Sequence, residues 1–159
     1  MREVVERRAV RALLLYENKA ILLLQIRSPD GRSFWIAPGG GIEQGEEAET
    51  GLRRELFEEL SLKNVEIGPI VWRRHHIFDW NGRRISQREE YRIVETDWFE
   101  PRMLDLQEGA YVQTLRWWPL NELGSAREPL TPLSLDAIVR DYLLNGAPDP
   151  IPPEEVLSD

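Results

Sequence analysis

Three glutamates, Glu55, Glu58 and Glu59, are spaced so that a helix would bring them together. At about 100° per residue, with Glu55 as zero, Glu58 falls at about 300° and Glu59 at about 40°, so the three share one arc of about 100°. Leu52, Leu56, Leu60 and Phe57 fill the adjoining arc, which puts the acids at the margin of the face such a helix would bury. Crowding of this kind is unfavourable. Two unit charges about 6 Å apart repel by roughly 3 kcal/mol at an effective dielectric near 20, and by under about 1 kcal/mol in water. A hard divalent cation offsets the repulsion, and magnesium prefers a few carboxylates plus substrate phosphates and waters to a closed protein cage. Such a group suits hydrolysis of a phosphate ester or anhydride, the cation neutralising phosphoryl oxygens while a carboxylate takes a proton from water. Over the helix alone, a solvated acidic face with Arg54 and Glu58 as an i,i+4 pair would look the same.

The flanking pattern shows what must position these acids. The spacing predicts a helix from about Ala48 to Leu60. Before it, Phe34-Trp35-Ile36-Ala37-Pro38 reads as a short strand entering Gly39, Gly40 and Gly41, where backbone can approach a ligand closely because no Cβ intervenes. Gly51, in mid-helix, implies close packing against a sheet. Residues 9–26 read as a hairpin, Val10 to Tyr16 and Ala20 to Ile26 with Glu17-Asn18-Lys19 between them, both runs too continuously apolar to leave a face in water. Val65 to Ile77 and Gln87 to Trp98 read as further strands, with a second hairpin turning through Asp79-Trp80-Asn81-Gly82. Residues 99–110 read as a loop, Val112 to Trp118 as a last strand ended by Pro119, and Thr131 or Ser134 to Asn145 as a final helix stopped by Gly146. A single domain over residues 1–146 follows, with helices on the faces of a mixed sheet. Residues 147–159 contain four prolines and form a loosely ordered tail.

Spacing beyond the helix separates the catalytic reading from the solvated one. Gly40, Glu46, Arg54, Glu55, Leu56, Glu58, Glu59 and Leu62 fall in register with G-x5-E-x7-R-E-U-x-E-E-x-G-U, where U is bulky and aliphatic, and the segment thereby resembles the Nudix hydrolase signature. Ser61 departs from it, standing where the family has glycine; serine in the left-handed conformation that ends a helix costs on the order of 1 kcal/mol. The order of elements around the signature is also similar to that family. The resemblance implies an α/β/α sandwich with a mixed β-sheet. It implies a Mg2+-dependent hydrolase, with Mn2+ able to substitute, in which water attacks phosphorus in a nucleoside diphosphate linked to another group: a nucleoside triphosphate, an oxidised nucleotide or a nucleotide sugar. Glu55, Glu58 and Glu59 would be the metal ligands, with Glu55 also the candidate base and the Gly39 carbonyl a backbone ligand. Glu46 would support the water network around the metal, and Arg54 would hold the glutamates in place. Family sites often take a further acid from outside the signature; Glu108 is the first candidate, Glu89 or Glu90 the second. Two alternatives stay open, a non-catalytic Nudix-like module that senses a nucleotide and an RNA 5′-end pyrophosphohydrolase.

Composition narrows the partners. The chain has 159 residues, 20 basic against 28 acidic, for a net charge of −8, which disfavours duplex DNA. Residues 43–59 hold seven glutamates and two arginines, so −5 of that charge lies in the signature segment, where a bound cation would turn it towards phosphate. The chain lacks cysteine, which removes disulfides and thiolate chemistry, and has only His75 and His76, too few for a histidine-rich zinc site. No apolar run approaches the roughly 18 residues of a membrane span, and the opening residues lack a secretory apolar core, so a cytoplasmic protein is expected.

Substrate clues are sparse. Arginine makes up 18 of the 20 basic residues, through codon bias or through phosphate recognition. Six arginines lie between Val71 and Arg92; among them Arg73 and Arg88 are placed to meet distal phosphates, or else belong to an ordinary solvated hairpin. Trp35, or Phe34, is placed to stack on a base or to enter the core. Trp117 and Trp118 point to opposite faces of their strand, one core and the other open to a pocket or a homodimer interface. Residues 77–80, Ile-Phe-Asp-Trp, match none of the family's markers of substrate class.

Overall fold

The computed structural model describes residues 3–102 and 111–158. β1 (Val4–Tyr16) and β2 (Ala20–Arg27) form the expected hairpin, with Glu17 and Asn18 at positive φ in its turn. The two strands are bonded only beside that turn, at Leu15–Ile21 and Tyr16–Ala20, and then part. β2 goes on to pair with β3 (Ser33–Ile36) and β7 (Val112–Pro119), both antiparallel. β1 pairs antiparallel with the short β4 (Gly39–Gly41) and runs parallel to β6 (Arg83–Glu95) from Val4–Arg84 to Leu15–Glu95. β5 (Ile70–Trp80) joins β6 through the Asn81–Gly82 turn, both residues at positive φ, as a two-residue hairpin turn requires. With β8 (Leu130–Thr131) on β3 and β9 (Glu155–Ser158) on β5, the sheet order is β8-β3-β2-β1-β6-β5-β9.

Alternation along β1 supplies both faces of this mixed sheet. Leu13 and Leu15 join Ile21, Leu23, Tyr91 and Ile93 beneath α2 (Leu135–Asn145), while Val10, Ala12 and Leu14 join Leu22 beneath α1 (Ala48–Leu60). Helices therefore cover both sides, and the α/β/α sandwich is the observed architecture. Leu13, Leu14 and Leu15 are all inaccessible to solvent, which accounts for the unbroken apolar run. Leu52, Leu56 and Leu60 fasten α1 to the sheet, each burial stabilising by roughly 1.5–3 kcal/mol. Phe57 does not join them; it lies past the edge of the buried arc, 48% exposed, with Lys63 Nζ 5.6 Å from its ring. No helix among the described residues is long and apolar enough to cross a membrane.

Ser61 ends α1 in the left-handed conformation (φ 58°, ψ 22°), as the family's glycine position demands, and Leu62 N–H donates to Leu56 O at 3.3 Å. Because serine occupies glycine's conformation there, Ser61→Gly is expected to raise stability by about 1 kcal/mol. For a chain of this size that is a Tm about 2–4 °C higher by calorimetry; an unchanged or lower Tm would show that the serine carries no strain.

Several boundaries differ from expectation for identifiable reasons. β5 starts at Ile70 rather than Val65, since Pro69 has no N–H to extend the ladder. The 3-10 helix Leu120–Ser125 and β8 are too short to carry a periodic signal. The tail departs most. Instead of lying loosely, Glu155–Ser158 adds as β9, parallel to Arg74–Ile77 of β5, where a sheet edge offers backbone donors and acceptors. Arg88 bonds Glu154, Arg73 Nη2 donates to Pro152 O at 2.9 Å, and Arg84 Nη2 donates to Ser158 Oγ at 3.3 Å. Every β9 residue is exposed, so pairing and these side-chain bonds hold it rather than burial.

Candidate active site

Arg54 is the hub of the signature segment. Its Nε and Nη2 donate to the two carboxylate oxygens of Glu46, each at 2.9 Å, in the forked geometry that arginine and carboxylate share. Nη2 also donates to Gly41 O at 3.0 Å, while Nη1 reaches Glu55 Oε1 at 3.2 Å and Glu58 Oε2 at 3.4 Å. One guanidinium thus ties the glycine loop to the helix and neutralises acids that would otherwise repel. The Arg54 bonds, and then the Glu43 N–H at 3.0 Å, hold the Glu46 carboxyl at about 2, and the Glu46 bond in turn raises Arg54 above its ordinary range. Gly51 proves to serve this ion pair rather than the sheet: a Cβ there would lie 2.9 Å from Glu46 Oε1.

The three helix acids divide by depth. Glu55 and Glu59 are buried at 5% and 4% exposure, whereas the Glu58 side chain is 46% exposed. Glu59 Oε1 accepts the Gly39 N–H at 3.1 Å, which brings the last turn of α1 against β4. Gly40 faces Glu55 so closely that a Cβ would lie 2.7 Å from its carboxylate. Among the described residues no three His, Asp or Glu side chains close into a metal cluster. Arg54 engages Glu55 and Glu58, and the Gly39 amide engages Glu59. The donors nevertheless fit a hard cation: all are carboxyl oxygens, and the space over Glu55 is kept clear by the missing Cβ of Gly40.

Of the outside acids, Glu108 lies beyond the described residues, and Glu90 is taken by Arg92 Nη1 at 3.1 Å. Glu89 is 3% exposed and fully bonded. Its Oε1 accepts from Arg74 Nε and from Tyr91 Oη at 3.2 Å, and its Oε2 from Gln87 Nε2 at 2.8 Å and Arg11 Nε at 3.2 Å. Burial pushes this carboxyl up, but Arg11 and Arg74 outweigh it and hold it at about 2. Four donors leave no lone pair for a metal, so the idea of Glu89 as an added ligand gives way to that of a buried structural anion. Sequence reasoning missed Arg11 and held Arg74 only as one of the six arginines between Val71 and Arg92. Gln87, Glu89 and Tyr91 do alternate at a spacing of two, but only the β1–β6 and β5–β6 registers bring the arginines to them.

The residues expected to meet substrate are placed otherwise. Trp35 is 6% exposed and packs edge-on to Trp118, with centroids 5.2 Å apart at 83°, so it takes its core alternative and offers no face to a base. Trp117, offered for a pocket or a homodimer interface, packs on Tyr16 and Phe99 and donates Nε1–H to Phe99 O at 2.9 Å. Arg73 and Arg88 are engaged by Pro152 and Glu154 of the C-terminal segment rather than drawn towards Arg54.

Comparison with known proteins agrees with this fold. The model of the NUDIX domain matches residues 5–140. A protein of Rhodopseudomonas palustris (strain BisA53) named RNA pyrophosphohydrolase is 27% identical over 140 residues, covering 79% of this chain and 78% of its own. Among solved structures, the MutT protein of Methanosarcina mazei superposes with a TM-score of 0.63 at 18% identity, over 91% of this chain and 97% of its own. The dihydroneopterin triphosphate pyrophosphohydrolase of E. coli does so with a TM-score of 0.64 at 12% identity, over 89% and 99%. At those identities the structures speak to fold.

Proposed function

Because the chain belongs to the NUDIX domain family, and is thus a hydrolase of phosphoanhydride bonds, we propose that it cleaves a nucleoside diphosphate linked to another group in a Mg2+-dependent reaction at Arg54 and its glutamates. The observation that carries this reading is the single guanidinium gathering Glu46, Glu55 and Glu58 beside the Glu59–Gly39 contact. Glu55, Glu58, Glu59 and the Gly39 carbonyl would hold the cation, with Mn2+ as a substitute. When bound, the metal supplies Lewis-acid stabilisation of charge on phosphoryl oxygens. The protein's own part is to orient and to move one proton. Arg54 and Glu46 lock the loop to the helix at any physiological pH, since their ion pair survives to about 2. Glu58, at the rim and held to Arg54 at 3.4 Å, is free to turn towards a shared cation, exposed pairs of this kind being weak. Glu55 would take the proton from the attacking water.

A second reading concerns the substrate. The relative from R. palustris is named RNA pyrophosphohydrolase, as is one from Teredinibacter turnerae, which favours a 5′-triphosphorylated RNA end as substrate. A panel of nucleoside triphosphates, oxidised dNTPs, ADP-ribose, sugar nucleotides, dinucleoside polyphosphates and 5′-triphosphate RNA, run with Mg2+ and then with EDTA, tests both. The expected outcome is turnover of at least one member, abolished by EDTA and restored by excess Mg2+. Turnover indifferent to EDTA would sink the proposal, and RNA cleaved no faster than free triphosphates would sink its second reading.

A further inference from the structure

The buried polar group around Glu89 lies outside the signature, yet one of its members reaches back to it. We propose that Arg11 is a positioning residue for the proposed metal site: it fastens the Ala37–Gly39 backbone, and with it the Glu59 carboxylate, to the buried anion Glu89. The inference rests on the reading that Gly39 and Glu59 serve the cation.

Each link is a hydrogen bond or a strand register. Arg11 Nε donates to Glu89 Oε2 at 3.2 Å, and Arg11 Nη1 donates to Ala37 O at 3.1 Å. The following amide, Ala12 N–H, donates to Pro38 O at 2.8 Å, and Arg11 itself stands opposite Gly39 in the β1–β4 ladder. Gly39 N–H then reaches Glu59 Oε1 at 3.1 Å. The guanidinium therefore grips the strand entering the glycine loop two residues before the amide that orients Glu59. Glu89 can serve as anchor because its four bonds, to Arg11, Arg74, Gln87 and Tyr91, come from three different strands and leave it nowhere to move.

Charge balance points the same way. Arg11 meets two acidic groups, Glu89 and Glu59, and Glu89 is shared with Arg74. Burial works against the Arg11 charge, but Glu89 foremost, with Glu59 also contributing, more than restores it. A fork with two separate arms is what this bridge needs. A lysine ammonium concentrates its donors at one point and cannot span the Glu89 carboxylate and Ala37 O in the same way.

The test uses the full chain with Arg11→Lys, Arg11→Gln and Glu59→Gln, following Mn2+ binding by electron paramagnetic resonance without substrate, then kcat and KM separately, and Tm. Partners that orient ligands in this way typically change metal affinity or activity by about 10–100-fold. Arg11→Lys is expected to bind Mn2+ at least about 10-fold more weakly and to lose kcat by a similar factor, with KM within about 3-fold of wild type and a retained cooperative melt. Arg11→Gln should do the same or more, so that restoring the charge does not restore the site. Wild-type Mn2+ affinity and kcat in Arg11→Lys, while Glu59→Gln loses both, would overturn the role of Arg11 and leave the metal-site reading standing. Absence of Mn2+ binding in the wild type would sink the metal-site reading, and this inference with it. Failure of both Arg11 variants to fold would overturn positioning in favour of a purely structural role.

Discussion

Glu59→Gln is expected to lower kcat by about 10²–10⁴-fold with little change in stability, as loss of a metal ligand or catalytic carboxylate commonly does. The substitution is close to isosteric, and glutamine's carbonyl can still accept the Gly39 N–H that Glu59 Oε1 now takes at 3.1 Å. What disappears is the charge. At 4% exposure that charge is unfavourable to bury, but it also attracts the buried Arg11, so the two effects oppose each other and Tm should change little while activity collapses. Glu58→Gln provides the complementary case. Its side chain is 46% exposed and its ion pair with Arg54 is long, so stability should barely respond, yet a ligand role would again lower kcat by orders of magnitude. Steady-state kinetics with saturating Mg2+, paired with calorimetric melts, separates the two quantities. Full activity in both variants, with magnesium still required, would remove the carboxylates from the mechanism.

Gly39→Ala carries the largest expected effect on folding. A Cβ at Gly39 would lie 2.2 Å from Val10 O and 2.8 Å from Arg11 Cα, both backbone atoms of β1, and φ there is +141°. No side chain can rotate away to relieve the contact, so β4 must move off β1 or the helix must release Glu59. Overpacking of this kind and forced backbone conformation each cost about 1–3 kcal/mol, and their combination here is expected to reach about 3–5 kcal/mol. At about 2–4 °C of Tm per kcal/mol, the melt should fall by roughly 6–20 °C. Gly31→Ala is the matched control: φ is also positive, +89°, but nothing lies within 4 Å of the added Cβ, so only the conformational strain remains, about 1 kcal/mol. If the two variants melt alike, the close approach of β4 to β1 is not what Gly39 is for.

The membership of Arg54 in a forked pair shows how site and stability share residues here. The same bonds that hold Glu46 as an anion down to about pH 2 tie the glycine loop to α1. A carboxyl held lower in the folded chain than in the unfolded one stabilises above the unfolded value and loses that contribution as pH falls towards the folded value. Glu46 and Glu89, both held at about 2, therefore place this loss in the acid range below about pH 4.5.

What the amino-acid sequence determined by itself was everything carried by neighbours along the chain. The Leu52, Leu56 and Leu60 stripe marked α1 from Ala48 to Leu60, because residues four apart share a helix face whatever lies beyond it. Asn81-Gly82 marked a hairpin, because few residues adopt its turn, and the unbroken apolar runs announced strands covered on both faces. The spacing from Gly40 to Glu59 carried the family and the chemistry. Tertiary structure alone decided which of three acids on one arc would be buried, since that depends on where β4 meets the helix. It alone turned Glu89 from a candidate ligand into a saturated anion, by bringing up Arg11 from 78 positions away. It alone sent Trp35 into the core against Trp118 and laid a proline-rich tail along β5. Each of these rests on contacts between residues far apart in sequence, and no local periodicity records the strand register or the sheet edge that creates them.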